Sequence, residues 1–408
     1  MSRALHQYII VTLSYWGFTI TDGALRMLVV LYFHQLGYSP FEVAALFLFY
    51  EFFGMVTNLF GGWLAAYTGL NTTLHIGLAL QMLALGMLLA DPSWLSVTYV
   101  MAAQALSGIA KDLNKMSAKS NIKLLLPDDA QNKLYHWVAL LTGSKNALKG
   151  AGFFIGALLL SSLGFRGAIL VLFLGLMLVC IASFILLDRS VGKSPYTPKF
   201  RELISKSPAI NRLAAARFFL FASRDIWFVV ALPVYLQSEL GWQYTSVGSM
   251  LALWVIGYGA IQSLAPKLTQ RRANHGPSST STLHWLLPLC FIPILIAGSL
   301  HYALAPPAWI LMIGLAIYGS VFAINSSLHS YLILAYAQRK GVSLDIGFYY
   351  MANAAGRLTG SLLSGLIYQW QGLSACMLAA SAFTAAAYLL SIGLGRCSPP
   401  YKTIEQVG

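Results

Sequence analysis

Residues 107–123 read SGIAKDLNKMSAKSNIK, closing a long apolar run that begins near Trp94. Within them Lys111, Lys115 and Lys119 recur at every fourth position. On a helix turning roughly 100° per residue, positions four apart drift by only about 40°, so the three lysines form one stripe. Asn114 and Ala118 fall on the same face. A soluble helix carries such a stripe in water without penalty. Here it continues a membrane-spanning pattern, where a charge at mid-bilayer costs roughly 2.5–3.5 kcal/mol on insertion scales. It requires a partner or a polar cavity.

The surrounding composition fixes the class. The chain has 408 residues, 58% hydrophobic and 10% charged, whereas a soluble globular chain is about a quarter charged. That deficit, with repeated apolar stretches of about 20 residues, predicts an all-α polytopic membrane protein. The alternation of a β-barrel over about ten residues is absent. Cys180, Cys290, Cys376 and Cys397 are far apart with no CxxC, and read as small buried apolar side chains. The eight histidines form no HxxxH or HExxH pattern, so neither a metal nor another cofactor is expected. The net charge of +13 would suggest nucleic acid in a soluble protein. In a membrane chain it needs another explanation, and no nucleic-acid partner is expected. The first ten residues, MSRALHQYII, run into a hydrophobic segment without a small-residue cleavage site, and predict a retained first helix.

Twelve spans can be drawn, at about 8–33, 41–66, 74–90, 94–119, 134–161, 166–187, 209–236, 244–266, 283–301, 308–336, 345–368 and 372–394. The longest break, DRSVGKSPYTPKFRELISKSP at 188–208, is polar, basic and proline-containing. It divides the chain into an N-terminal six-helix half (1–188), a linker (189–208) and a C-terminal half (209–408). Loop cations from Arg3 through Lys133, Arg189, Lys267 and Arg339 to Lys402 fall on one side, and the other side offers Arg166. By the positive-inside rule both termini and the linker are cytoplasmic, in a multi-pass protein of the plasma (inner) membrane.

The halves echo each other. Asp22 precedes Tyr32 by ten residues and Leu36-Gly37 follows; Asp225 precedes Tyr235 by the same spacing and Leu240-Gly241 follows. Asn146 and Lys149 precede Gly152, as Asn353 and Arg357 precede Gly360. Such a pseudo-repeat predicts a transporter with its site near the midplane.

Setting aside Arg166, Arg212 and Asp345 near span ends, nine cations fall inside the spans: Arg26, Lys111, Lys115, Lys119, Lys145, Lys149, Arg217, Arg224 and Arg357. Against them stand four acids, Asp22, Glu51, Asp112 and Asp225. Lys119, Lys145 and Arg217 lie toward cytoplasmic ends, where snorkelling to water is the alternative to function. Lys149, Arg224 and Arg357 lie near span centres, where an anionic substrate is the most economical partner and a structural ion pair the alternative. Asp22 and Arg26 have the favourable i,i+4 order for an ion pair. Arg224 and Asp225 diverge by about 100° and are not expected to satisfy each other. Asp112 is expected to neutralise at most one of Lys111 and Lys115. Guanidinium forks match phosphate or carboxylate oxygens, and lysines add point charge. The expected substrate binders are therefore Arg26, Lys111, Lys115, Lys149, Arg224 and Arg357. Asn114, Lys119, Lys123, Lys145 and Arg217 take secondary or entrance places. Asp22, Glu51, Asp112 and Asp225 serve as proton-coupling or ion-pair acids. Tyr15, Trp16, Trp227, Trp254 and Tyr258 are either cavity walls or packing aromatics. The glycines of GAGFFIG (150–156) and GRLTGSLLSG (356–365) permit close helix packing.

Two six-helix halves joined by a basic linker resemble the major facilitator superfamily. Its loop signature after the second helix is degenerate here, for GGWLAAYTGLNTT keeps Gly62 and Gly69 but has Ala66 where the family has an acid. Within that superfamily the chain resembles the ArsJ-type organoarsenical efflux permeases. The matching stretches are TDGALRMLVVLYFHQLGYSP (21–40), LFYEFFGMVTNLFGGWL (48–64), MAAQALSGIAKDLNKMSAKSNIK (101–123), LTGSKNALKGAGFFIGALLL (141–160), ARFFLFASRDIWFVVALPVYL (216–236) and LALWVIGYG (251–259). The resemblance implies export of 1-arseno-3-phosphoglycerate, made from arsenate by glyceraldehyde-3-phosphate dehydrogenase, and hence arsenate resistance. An organophosphate:phosphate antiporter of the same superfamily is the alternative, and a membrane-embedded lipid-headgroup enzyme a remote one; the chain is not expected to be an enzyme. A monomer in the bilayer, working by alternating access with helices 1, 4, 5, 7 and 11 around the substrate, is the expected form.

Overall fold

The computed structural model describes residues 3–37, 46–125, 131–188, 207–242, 244–269, 277, 279–337 and 342–396. Every regular element among them is helical. The first four helices are α1 (Arg3–Gln35), α2 (Leu48–Thr68), α3 (Leu70–Leu88) and α4 (Val97–Leu125). The stretch Gln131–Leu186 turns at Gly164, with φ 66°, into α5 (131–163) and α6 (165–186). Helix α7 (Pro208–Ser238) is interrupted after Phe228 and resumes at Ala231. Then follow α8 (Tyr244–Thr269), α9 (Ser279–His301) and α10 (Pro307–Tyr336). Val342–Ile392 turns at Gly372, with φ 72°, into α11 (342–371) and α12 (373–392). A residue without Cβ adopts positive φ at no steric cost, so one glycine suffices to reverse each rod. The two turns occupy matching places in the chain, after the fifth and the eleventh helix, which carries the sequence repeat into the backbone.

The helices agree with the apolar runs to within a few residues, except that α4 continues to Leu125 and so carries Lys123 inside the helix, and that α2 begins at Leu48 where the run was expected from 41, with 41–45 outside the described residues. The basic linker residues 189–206, the turn at Tyr38-Ser39-Pro40, Cys397 and the side chain of Lys123 lie outside the described residues. Among the described residues, seven continuous stretches are long and apolar enough to cross a membrane, two of them the glycine-turned pairs. The helices not among them are α1, α2 and α4, which hold Asp22, Arg26, Glu51 and the lysine stripe.

Burial is inverted relative to a soluble protein. Leu178, Ile185, Leu295 and Leu389 are each about two-thirds or more exposed, while Asn58, Asn71, Gln81, Gln104, Asn114 and Ser117 are buried. Lipid solvates the apolar exterior, and the polar side chains are enclosed where other helices satisfy them. This is a multi-pass integral membrane architecture.

The chain divides into two compact units. Unit 1 comprises Met1–Pro127, Ser144–Ile204 and Gln338–Met351; unit 2 comprises Asp128–Gly143, Ser205–Ala337 and Ala352–Gly408. Each thus contains a short segment of α5 or α11 beyond the six-and-six division. In unit 1, α4 packs mainly against α3, α2 and α1. In unit 2, α10 packs against α9, α8 and α7.

Glycines set the closest approaches. A Cβ on Gly152 would lie 2.6 Å from the Ile20 carbonyl oxygen, and one on Gly156 2.5 Å from that of Ala24, so α1 and α5 touch backbone to backbone. In unit 2, a Cβ on Gly360 would lie 2.6 Å from the Ala222 carbonyl oxygen of α7, whereas one on Gly365 would meet nothing within 4 Å. The small-residue spacing therefore marks a contact at 152, 156 and 360 and none at 365. Gly62, kept from the degenerate signature, lies against the Ser343 carbonyl at the start of α11, within unit 1. Gly69, with φ 98°, separates α2 from α3.

Candidate functional site: two charged clusters

In unit 1, α1, α2, α4 and α5 bring seven charged side chains together. Asp22 and Arg26 are one turn apart on α1, and Tyr15 lies two turns before Asp22 on the same face, at roughly 20° from it. The close α1–α5 packing at Gly23 and Gly152 puts Lys149 Nζ 3.3 Å from Asp22 Oδ2. Arg26 Nη2 donates to Glu51 Oε1 on α2 at 3.1 Å. Asp22 and Arg26 thus each pair with a residue of another helix. Lys111 Nζ lies 3.7 Å from Glu51 Oε2 and 3.6 Å from Asp112 Oδ2, and Lys115 binds Asp112 Oδ1. Asp112 thus meets two lysines, one at each carboxylate oxygen, and carries a single negative charge between them. Gly54 makes room for it: a Cβ there would lie 2.5 Å from Asp112 Oδ2.

Two tyrosines organise these cations, and the sequence did not single them out. Tyr50 is 1% exposed, and its hydroxyl donates to Asp22 Oδ1 at 2.6 Å. Lys111 Nζ lies 3.9 Å from its ring centroid, the Arg26 guanidinium 4.7 Å and Lys149 Nζ 6.0 Å. These distances are within cation–π range, where a desolvated contact is worth about 2 kcal/mol. Tyr350, on the part of α11 that belongs to unit 1, has Lys115 4.5 Å and Lys119 4.6 Å from its ring centroid, and its hydroxyl accepts from Lys119. The only sequence cue was position: Tyr50 precedes Glu51 on a face that α4 covers.

In unit 2 the pattern is repeated with guanidinium groups. Arg357 Nε of α11 donates to Asp225 Oδ2 at 3.3 Å, matching Lys149 and Asp22. Arg224 Nε donates to Asp225 Oδ1 at 2.6 Å. The divergence of adjacent side chains was expected to prevent that bond. The long arginine arm instead folds back over one residue, and Asp225 is shared by two arginines. The Arg224 guanidinium lies 5.0 Å from the Phe221 ring centroid and 5.8 Å from those of Phe228 and Phe322. Arg217 is buried, stacked 3.9 Å from the Phe221 centroid; it donates through Nε to Asn353 Oδ1 at 2.8 Å and through Nη1 to Ser326.

Lys119 and Arg217 are each 3% exposed, so they do not extend to water as snorkelling requires. Lys145 is half-buried, and Asn114 is buried with its amide donating to the Ala110 carbonyl at 2.8 Å. Trp227, Trp254 and Tyr258 belong to the aromatic core of unit 2: Trp227 meets Trp254 and Tyr318 edge-on, and Trp254 Nε1 donates to the Leu315 carbonyl. Tyr15 is buried with its hydroxyl unpartnered.

Known proteins match this architecture. The family model for the Major Facilitator Superfamily matches residues 8–277 and 213–405. No curated protein sequence matches the chain. Among solved structures, the human organic anion transporter MFSD10 (TETRAN) is similar with a TM-score of 0.74 and 16% identity, covering 96% of this chain and 100% of its own. A bacterial homologue of the iron transporter ferroportin, in an outward-facing state, gives 0.75 at 16% identity, covering 97% and 100%. The proton:xylose symporter XylE gives 0.70 at 13% identity, covering 95% of each. At such identities the likeness is one of fold, and together with the family match it establishes that the chain belongs to the major facilitator superfamily of membrane transporters.

Proposed function

We propose that this transporter exports a small phosphorylated organic anion, and specifically 1-arseno-3-phosphoglycerate, across the plasma (inner) membrane. The observation that carries the reading is Asp225, one buried carboxylate shared by Arg224 and Arg357. Two guanidiniums on one acid put two positive charges around a single negative one, and bidentate phosphate binding is what a guanidinium does best. In unit 1, Arg26, Lys111, Lys115 and Lys149 rest on Asp22, Glu51, Asp112 and aromatic faces. During alternating access these cations exchange carboxylate oxygens for those of the substrate. Lys119, Lys145, Lys123, Arg217 and Asn114 are the secondary or entrance residues, and Asp22, Glu51, Asp112 and Asp225 hold the cations between cycles.

The organoarsenical reading rests on the resemblance of six charged or motif-bearing stretches to the ArsJ-type permeases. Glyceraldehyde-3-phosphate dehydrogenase supplies the substrate, and release of arsenate outside completes resistance. The protein works as a monomer in the bilayer with both termini cytoplasmic. Outward movement of an anion from a cell negative inside is downhill by roughly 2.3 kcal/mol per charge per 100 mV, so a coupling ion is unnecessary.

Growth of an arsenate-sensitive strain expressing this chain, with and without the dehydrogenase, tests the reading. Protection is expected only when both are present. Transport of an organophosphate stimulated by counter-phosphate, with no protection from arsenate, overturns it in favour of an antiporter.

A further inference from the structure

Asp22 carries a neutral donor as well as a cation. The Tyr50 hydroxyl donates to Oδ1 at 2.6 Å, while Lys149 lies 3.3 Å from Oδ2. Asp22 is 4% exposed. Removing the cation from so enclosed a carboxylate is strongly unfavourable unless another donor remains. The short hydroxyl bond, made to an ionised acceptor, is of the stronger kind. The same tyrosine carries Lys111 and Arg26 against its ring face, at 3.9 and 4.7 Å from the centroid. A ring holds a cation without adding a counter-charge that a substrate anion would have to displace. The position of Tyr50 is fixed by its backbone, because Gly108 of α4 sits against the Tyr50 carbonyl where a Cβ would collide.

We propose that Tyr50 is a positioning residue of the unit 1 cluster: its hydroxyl holds Asp22 when Lys149 turns to a phosphorylated anion. The ring meanwhile retains Arg26 and Lys111 in place. Lys149 is thereby the cation released for substrate, and Asp22 is never stranded. This rests on the anion-transport reading above and adds to it a residue with no charge of its own.

The test uses the full chain in lipid nanodiscs, titrated calorimetrically with 3-phosphoglycerate and with inorganic phosphate, with thermal unfolding recorded in parallel. Tyr50→Phe keeps the ring and removes the hydroxyl, so Lys149 becomes the principal partner of Asp22. Binding of 3-phosphoglycerate is expected to weaken about tenfold, the equivalent of one charge-assisted hydrogen bond. Adding Asp22→Asn to Tyr50→Phe removes the charge that retains Lys149, and is expected to restore binding to within about twofold of the wild type. A purely structural role for Tyr50 predicts no such restoration, since the second substitution removes a further interaction. The proposal is overturned if Tyr50→Phe binds as the wild type does, or if the double variant stays as weak as the single one. A wild-type chain that binds neither probe overturns the anion reading itself, and this inference with it.

Discussion

The two units solve one problem with different side chains. Unit 1 sets a lysine of α5 against an aspartate of α1, and unit 2 sets an arginine of α11 against an aspartate of α7. In both, glycines bring the two backbones close enough for the pair to form. Beyond that pair they diverge. Unit 1 distributes four cations over three acids and the ring of Tyr50, with Arg26 and Glu51 each more than a fifth exposed. Unit 2 puts two guanidiniums on one buried acid and supports Arg224 with phenylalanine rings. A dispersed network tolerates loss of one member, because neighbours share its charge. A shared acid does not.

That contrast gives an order of effects. The largest is expected for Asp225→Ala, which leaves two guanidiniums beside an empty position; breaking a buried pair costs about 3–5 kcal/mol. Thermal unfolding in detergent should show it, together with loss of transport. Next come Lys149→Ala and Arg357→Ala, expected to lower transport into everted vesicles at least about tenfold at normal membrane insertion, a loss of about 1.4 kcal/mol or more of transition-state stabilisation. Unchanged transport in either would end the claim that the matched pair binds substrate. Arg357→Lys sharpens the difference between units: a lysine cannot supply the guanidinium fork, so the loss should exceed that from Lys149→Arg.

Smaller effects concern packing and the edge of the network. Gly360→Ala is expected to destabilise by about 1–3 kcal/mol through the α7 backbone contact. Gly365→Ala, with open space around it, should be neutral or stabilising by up to about 1 kcal/mol, the helix-propensity gain. Equal unfolding temperatures for the two would show that backbone proximity at Gly360 is unimportant. The smallest change is expected for Glu51→Gln, within about 1 kcal/mol, since this partly exposed acid shares its cations with other groups. A loss matching that of Asp225→Ala would remove the distinction between dispersed and shared charge.

Length, apolar spacing and charge were sufficient to predict an all-helical membrane fold, the lysine stripe and the superfamily, because a bilayer admits few ways to satisfy a backbone. The internal echo of Asp22 and Lys149 in Asp225 and Arg357 was also legible, since helix position can be counted along the chain. Pairing was not. Arg224 reached Asp225 despite the angle between them, Asp112 took two lysines, and Arg26 found Glu51 on another helix. Helical angles locate Cβ atoms, whereas long side chains choose among oxygens that other helices deliver. Tyr50 and Tyr350 were illegible for the same reason: a tyrosine in an apolar run is ordinary until folding stacks cations on its face. The sequence determined which charges would have to be accommodated inside the membrane; only the packing of helices at their glycines decided which acid, ring or hydroxyl would accommodate each.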